Sequence, residues 1–219
     1  MGTKKAVYHT SKLGLKKRCT LPISGNQKRA RLERKTPASF FEKEKDMARL
    51  TFVLVDSSYC DYLRNTDPCV PYTMNSKGSR PFVGILLLIH GVEYYAPLSS
   101  PKPKHLTMKN SLDITKINGG QCGVINFNNM IPIHQNSVTP VNLKVLSTDT
   151  TSDIQYKGLL SKQLTWCNSN KQDIVNKAQN LYDLVSKGIA RPNLLARCCD
   201  FVQDEILLRQ YCLDNGWVL

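Results

Sequence analysis

The sequence predicts an α+β protein, with short strands in the first half of its folded part and helices in the second half. Between residues 50 and 133, β-branched and aromatic residues form short segments separated by turn residues, which is typical of strands. Beyond Asp153 the apolar residues recur at the spacing of α-helices. We expect the apolar stripes of these helices to pack on the sheet.

A strand and a helix open the folded part. Residues 50–55 are rich in β-branched and aromatic residues and predict the strand. Asp56 and the two serines that follow it are good N-cap residues, so they predict a short helix that runs to Asn65.

Two central strands follow a polar loop over residues 65–80. Residues 82–89 form a nearly unbroken apolar run, which predicts a strand buried on both faces. His90-Gly91 is then the turn of a hairpin whose second strand ends at Pro97.

The remaining elements complete the sheet and add the helices. Residues 97–121 hold three prolines and predict a long loop, a kind of segment that often carries function. Further short strands are predicted at residues 122–127, 130–133 and 141–145. Helical spacing then runs from Leu159 to a C-cap at Gly188, and a last helix covers residues 192–213.

The chain is basic, but its charge is uneven. The 30 Lys and Arg against 17 Asp and Glu give a net charge of +13, a balance suited to nucleic acid or an anionic membrane. Residues 1–46 hold 13 basic and 4 acidic side chains, a net of +9, so residues 47–219 carry 17 against 13, or +4. Charge alone therefore does not assign RNA binding to the folded part.

This charge division predicts two parts. Residues 1–46 form a basic extension without a sustained apolar period, which we expect to be disordered. Met47 begins a segment that looks like a natural protein start, so the extension is either not native or a basic arm that follows phosphates. Residues 47–219 form the single predicted domain.

Membrane and metal sites are not predicted. The longest apolar stretch, residues 83–90, contains a glycine and is too short to span a bilayer, and no secretory signal is recognisable, so we expect a cytoplasmic protein. The eight cysteines form no C-x-x-C pair, which predicts reduced thiols packed as small apolar groups and no zinc site.

The most unusual local sequence is the segment after the predicted hairpin. Ser99, Ser100 and Lys102 lie between prolines, whose fixed φ angles hold two hydroxyls and a cation in a fixed relation. A solvated turn is the ordinary alternative. Ser99-x-x-Lys102 also matches the serine acylases, but that arrangement begins a helix, which Pro101 and Pro103 disfavour.

Five motifs in order resemble the ToxN/AbiQ family, the endoribonuclease toxins of type III toxin–antitoxin systems. They lie at residues 57–64, 70–72, 80–85, 95–102 and 123–132. The helical part is similar too, so the resemblance covers nearly all of residues 47–213, and nothing before Met47 takes part. It implies a compact, strongly twisted antiparallel sheet related to the MazF/Kid toxins, with flanking helices and a C-terminal helical part.

The resemblance also implies a reaction and its residues. Relatives cleave RNA without a metal or cofactor, by attack of the ribose 2′-hydroxyl that leaves a 2′,3′-cyclic phosphate and a 5′-hydroxyl. Ser100 and Lys102 match the family's catalytic Ser and Lys, Ser99 stands where relatives have Thr or Ser, and Tyr72 is the candidate for a catalytic Tyr. The proton acceptor is not identified, and Tyr72 is equally explained as a packing aromatic.

Several further residues are candidates for RNA contact. Arg80 and Lys104 offer positive charge, and His105 is either an acid or base or an ordinary solvated loop histidine. Three asparagines either line the RNA groove or only form a turn through their side chains. They are Asn126, Asn128 and Asn129.

The implied partner is an RNA antitoxin, structured and derived from a repeat, in a closed ring of alternating toxin and RNA. The substrates would be cellular and phage RNA, in phage defence. A rival interpretation is a non-catalytic RNA-binding protein, because serines and a lysine that only bind phosphate would look the same in sequence.

Overall fold

The computed structural model describes residues 49–72, 74–75 and 78–219. The predicted basic extension, residues 1–46, lies outside the described residues. Its two interpretations, a non-native extension and a basic arm, therefore stay predictions.

A seven-stranded sheet forms the centre of the described fold, and every strand pair in it is antiparallel. Its order is β6-β7-β5-β4-β1-β9, with β8 pairing to β5 beside this path, and β2 and β3 form a separate hairpin. The strands are β1 (Phe52–Val55), β2 (Met74–Asn75), β3 (Gly78–Ser79), β4 (Phe82–Ile89), β5 (Val92–Ser99), β6 (Ile114–Lys116), β7 (Val124–Asn126), β8 (Ile131–Ile133) and β9 (Val138–Pro140).

The helices follow the strands, apart from two short ones. They are α1 (Ser57–Arg64), α2 (Pro103–Thr107), α3 (Thr151–Ser169), α4 (Lys171–Ser186), α5 (Pro192–Leu195) and α6 (Phe201–Asp214). α4 packs on β4 and α6 packs on β8, as their apolar stripes predict. The predicted α+β fold, an antiparallel sheet with flanking helices and a C-terminal helical part, is therefore confirmed. No helix of the described part combines the length and apolar character that crossing a bilayer requires.

Local sequence explains the first elements. Asp56 caps α1, its carboxylate accepting a hydrogen bond of 2.9 Å from the Ser58 N–H, which confirms the predicted start of this helix. The β4–β5 hairpin turns at His90 and Gly91, whose φ angles of 50° and 82° are those of a tight turn with right-handed strand twist. β4 is central as predicted, although Leu88 is 57% exposed, so its burial on both faces is not complete.

The segment after this hairpin differs from the predicted loop. β5 continues through Pro97 to Ser99, because the Leu98 N–H donates to Pro81 on one side while the missing N–H of Pro97 faces the edge where β7 ends. α2 starts at Pro103, a first-turn position at which a helix needs no N–H donor, so the predicted loop contains a helix. Ser99-x-x-Lys102 precedes this helix and does not begin it, as Pro101 and Pro103 predict. The segment also contains β6.

Three other boundaries differ from the predictions. The hairpin of β2 and β3 lies within the predicted polar loop. The last strand is β9 and not residues 141–145, because the ladder with β1 ends at Val141. The last predicted helix is two helices, since the Cys199 N–H bonds Asn128 outside the helix and Asp200 caps a new start at α6.

Six of the seven cysteines of the described part are buried, in agreement with the predicted packing as small apolar groups. They pack in the apolar core beside large side chains that water does not reach, among them Tyr59, Phe82 and Phe201. Burial raises the pKa of the Cys167 thiol to about 12, which keeps it protonated and unreactive at neutral pH.

An ion pair joins the segment before β6 to the turn after α5. Arg197 Nε and Nη2 donate to the two carboxylate oxygens of Asp113 at 2.6 and 3.1 Å. Asp113 is buried and Arg197 is half exposed. Burial by itself raises the pKa of Asp113, but hydrogen bonds from Arg197 and Ser111 bring it below its ordinary value.

We expect Arg197→Ala to lower the free energy of unfolding at pH 7 by about 2 kcal/mol, because it leaves the buried Asp113 carboxylate without its cation. In the wild type this stabilisation should be present above the unfolded-state pKa of about 4 and be lost as the pH falls below it, since the folded-state pKa is depressed. Urea denaturation at several pH values measures both effects. Arg209→Ala removes an exposed arginine that pairs with no described carboxylate, and equal losses in the two variants would contradict the prediction.

Candidate active site

The hydroxyl of Ser99 is held at the end of β5. Its backbone pairs with Val124 of β7, and its neighbour Leu98 is bonded to Pro81 on the other side. Asn126 Nδ2 donates to Ser99 Oγ at 2.9 Å and to the Pro97 carbonyl at 3.3 Å. Ser99 is therefore a strand residue with an oriented side chain and not part of a flexible loop.

Ser100 and Lys102 follow on the surface, and both side chains are exposed. Lys102 is the N-cap residue of α2, and its carbonyl accepts a hydrogen bond of 2.8 Å from the His105 N–H. Its ammonium forms no hydrogen bond or ion pair with a residue of the described part. An exposed, unpaired ammonium next to a free hydroxyl can bind the oxygens of a phosphate.

Two glycines allow the backbone of this site to pack closely. Gly123 has φ +93°, and a Cβ there would lie 2.0 Å from the Ser99 carbonyl oxygen. Gly120 has φ +97°, and a Cβ there would lie 2.2 Å from the His105 carbonyl oxygen. Both positions therefore exclude every other residue type unless the backbone moves. These two glycines are not among the predicted site residues, although the glycine-rich sequence Gly119-Gly120-Gln121-Cys122-Gly123 is a signal for a close approach of the backbone.

Two helices hold the strands beside the site. Gln163 of α3 donates to the Cys122 carbonyl at 2.6 Å, one residue before Gly123. Lys177 of α4 donates to the Ile114 carbonyl and to Thr115 Oγ1, both at 2.7 Å, and so holds β6. The helical half of the chain therefore positions the strands beside the end of β5, which carries Ser99.

His105 is buried beneath this loop and is 3% exposed, so the alternative of a solvated loop histidine is wrong. Its Nδ1 atom has no hydrogen-bond partner in the described part. Burial, and then the charges of Lys104 and Lys102, lower the pKa of His105, so the ring is neutral at pH 7. A role for His105 in RNA contact stays a prediction, as it does for the exposed Lys104.

Arg80 and the three predicted asparagines lie on segments next to β5. The β4–β5 register, in which Phe82 faces Pro97, places Arg80 across from Ser99 when it is continued by two residues. Asn129 donates to the Cys69 carbonyl at 2.7 Å and Asn128 donates to the Arg197 carbonyl at 3.0 Å. These two amides therefore bond to distant segments of the backbone and not within a local turn, and a role for them in RNA contact stays a prediction, while Asn126 faces Ser99.

Tyr72 lies on the loop that Asn129 holds through Cys69. Its ring is 65% exposed and is covered on one face by the Arg64 guanidinium, 3.9 Å from the ring centroid. Arg64 Nη2 also donates to the Pro71 carbonyl at 2.8 Å. The interpretation of Tyr72 as a packing aromatic is therefore wrong, because most of its ring is exposed at the surface.

An open depression of ≈ 430 Å³ lies directly beside Lys102. It is lined by Pro101, Lys102, Pro103, Leu106, Gly120 and Gln121. Apolar rings and methyl groups beside a free ammonium suit a nucleotide, whose base is flat and apolar on its faces and whose phosphate is anionic. The site as a whole is suited to binding a phosphodiester at the end of a central strand of an antiparallel sheet.

Comparison with known proteins identifies the family of this protein. Residues 51–209 match the family model of the toxin ToxN of type III toxin–antitoxin systems. The chain is 31% identical over 166 residues to the endoribonuclease ToxN of Bacillus thuringiensis subsp. kurstaki, an alignment that covers 73% of this chain and 83% of the relative. It is 35% identical over 147 residues to the endoribonuclease ToxN of Pectobacterium atrosepticum, covering 64% of this chain and 83% of the relative.

Solved structures agree with this assignment. AbiQ, a lactococcal anti-phage endoribonuclease of a type III toxin–antitoxin system, superposes with a TM-score of 0.64 at 25% identity over 75% of this chain and 98% of its own. A chain from a type III system in which a non-coding RNA pseudoknot selectively inhibits the toxin gives a TM-score of 0.63 at 30% identity, with coverage of 75% and 98%. This protein belongs to the ToxN toxin family of type III toxin–antitoxin systems.

Proposed function

We propose that this chain is an endoribonuclease toxin that cuts RNA at the end of β5, where Ser99, Ser100 and Lys102 lie. The observation that carries the proposal is the exposed Lys102 ammonium, which pairs with no described residue and follows Ser99 and Ser100 on a segment whose backbone packs closely on Gly123. Two relatives of the same family are named endoribonucleases, which supports the reaction class.

The proposed reaction is attack of a ribose 2′-hydroxyl on the adjacent phosphorus. The new bond closes a 2′,3′-cyclic phosphate, the bond to the 5′-oxygen breaks, and that oxygen leaves as a 5′-hydroxyl after receiving a proton. Lys102 stabilises the negative charge that builds up on the phosphorane oxygens. Ser99, oriented by Asn126, and Ser100 position the phosphate through hydrogen bonds.

The proton transfers need a further group, and Tyr72 is the candidate that the structure supports best. Its phenol is exposed, and the loop that carries it is held next to the end of β7 by the bond from Asn129 to Cys69. The buried Nδ1 of His105 is not accessible to RNA. The proposed reaction assigns no step to a metal ion, since Lys102 supplies the positive charge for the phosphorane oxygens.

We further propose that a structured, repeat-derived RNA antitoxin inhibits the toxin by occupying the surface beside Lys102, within a closed ring of toxin and RNA. Inhibitor and substrate would then compete for the same depression. The substrates would be cellular and phage RNA in the cytoplasm, and the cleavage would act in phage defence. The AbiQ relative is described as an anti-phage endoribonuclease, which supports this role.

The test is incubation of purified protein with a defined RNA in EDTA, followed by mapping of the product ends. We expect discrete cuts with 2′,3′-cyclic phosphate and 5′-hydroxyl ends, because no step uses a metal. Intact RNA, together with binding that weakens as salt rises, would instead support the non-catalytic RNA-binding protein. Cleavage that EDTA abolishes would overturn the metal-independent mechanism.

A further inference from the structure

Three metal-ligating side chains are buried together away from the Ser–Lys loop. They are Asp67, Cys199 and Asp204, which are 6%, 0% and 0% exposed. One ligand atom from each lies within 4.8 Å of the other two. Asp67 comes from the loop after α1, while Cys199 and Asp204 come from the start of α6, so the cluster joins two segments that are distant in sequence.

Asp204 has no partner that explains its burial. Neither of its carboxylate oxygens accepts a hydrogen bond from a described residue, and no described cation pairs with it. A buried, charged carboxylate without a partner is unfavourable because the charge loses its hydration, so such a group must bind either a proton or a cation.

The described residues around Asp204 contribute negative charge and no positive charge. Both oxygens of Asp67 already accept backbone N–H bonds of 2.7 Å, from Cys69 and Asp200. Burial and the charges of Asp67 and Asp200 raise the pKa of Asp204 to about 8. Burial, and then the charges of Asp67 and Asp204, raise the pKa of the Cys199 thiol. A divalent cation would relieve all three groups at once, whereas a shared proton would serve only the two carboxylates.

We propose that Asp67, Cys199 and Asp204 bind a structural divalent metal ion, with zinc the best match. Zinc accepts carboxylate oxygen and thiolate sulfur together, while calcium and magnesium select oxygen alone. The three protein ligands come from two segments, Asp67 from the loop after α1 and Cys199 with Asp204 from around the start of α6, so the ion would join these segments.

The geometry requires a small closure. Tetrahedral zinc separates an oxygen and a sulfur ligand by about 3.5 Å, given bond lengths of about 2.0 and 2.3 Å, so the present 4.8 Å limit must shorten by roughly 1 Å. The Asp204 side chain can rotate towards the ion without breaking a hydrogen bond to a described residue. The bound metal would fasten the loop that carries Tyr72 to α6, so its effect would be on stability before it is on chemistry.

The test measures metal content and does not depend on RNA cleavage. Tag-free, full-length protein is purified under reducing conditions, and its metal is determined by mass spectrometry. We expect about one zinc ion per chain in the wild type and a loss of it in Cys199→Ala and Asp204→Leu. Cobalt added to metal-free wild type should give a thiolate-to-cobalt charge-transfer band that Cys199→Ala lacks.

Two further measurements separate metal binding from simple misfolding. Asp204→Leu replaces the unpaired carboxyl by an apolar side chain of similar volume and should fold without metal, so zinc should raise the Tm of metal-free wild type but not of this variant. Cys167→Ala, which alters a buried thiol elsewhere in the core, should keep its zinc. A wild type that contains no metal and shows no Tm change with zinc would overturn the proposal and indicate a neutral Asp204 that shares a proton with Asp67.

Discussion

Lys102→Ala should reduce the rate constant for RNA cleavage about 1,000-fold, because a preorganised charge against the developing phosphorane oxygens is worth this much in comparable sites. Its binding of uncleaved RNA should weaken far less, since one phosphate contact among several is lost. Single-turnover cleavage of a defined RNA with saturating protein separates the two effects, because binding is then complete in both proteins.

Lys109→Ala is the matched control for this variant. It removes the same charge from an exposed lysine in the connection after α2, so it should alter salt-dependent binding slightly and leave the rate constant close to wild type. Lys102→Arg keeps the charge but changes its shape and reach, and should retain an intermediate rate. Equal rates in Lys102→Ala and wild type would remove Lys102 from the reaction.

Gly123→Ala should be the second large effect, on cleavage and on stability together. The new Cβ would lie 2.0 Å from the Ser99 carbonyl and 3.1 Å from the Pro101 nitrogen, and both are backbone atoms that cannot rotate away. The backbone of the Ser–Lys loop must therefore shift, and a displacement of about 1 Å in a catalytic group costs on the order of 100-fold in rate. We also expect a loss of about 3 kcal/mol in the free energy of unfolding, from strain at φ +93° and the clash.

Gly119→Ala provides the control within the same turn. Gly119 also has a positive φ, of +64°, but a Cβ there would meet nothing within 4 Å. It should therefore cost only the left-handed backbone penalty of about 1 kcal/mol and leave the cleavage rate near wild type. If both variants cleave RNA equally well, the close approach of Gly123 does not support the Ser–Lys loop. Denaturation and single-turnover cleavage on the same preparations make the comparison direct.

The candidate site was predictable in its chemistry but not in its construction. Ser99, Ser100 and Lys102 stand together in the sequence, and their residue types already suggest phosphate binding. The bond from Asn126 to Ser99 crosses 27 positions of the chain, and the contact of Gly123 with the Ser99 carbonyl crosses 24, so neither leaves a periodic signal. Only the pairing of β5 with β7 brings them together.

Two incorrect predictions have the same origin. Pro97 predicted the end of a strand, and the loop predicted over residues 97–121 left no place for a helix at Pro103, because a proline lacks an N–H and is judged locally by what it cannot donate. In the fold, the missing donor of Pro97 faces the edge where β7 ends, and that of Pro103 falls at the first turn of α2. A local rule therefore failed where tertiary context decided which donors were needed.

By itself the sequence determined the fold class, the order of most elements and the family, because hydrophobic periodicity and local motifs are properties of short segments. The tertiary structure alone decided that His105 is buried, that Ser99 belongs to a strand and that no described group donates a hydrogen bond to the Asp204 carboxylate. Burial and hydrogen-bond satisfaction depend on groups brought together from distant parts of the chain, and those contacts exist only once the sheet and helices have packed.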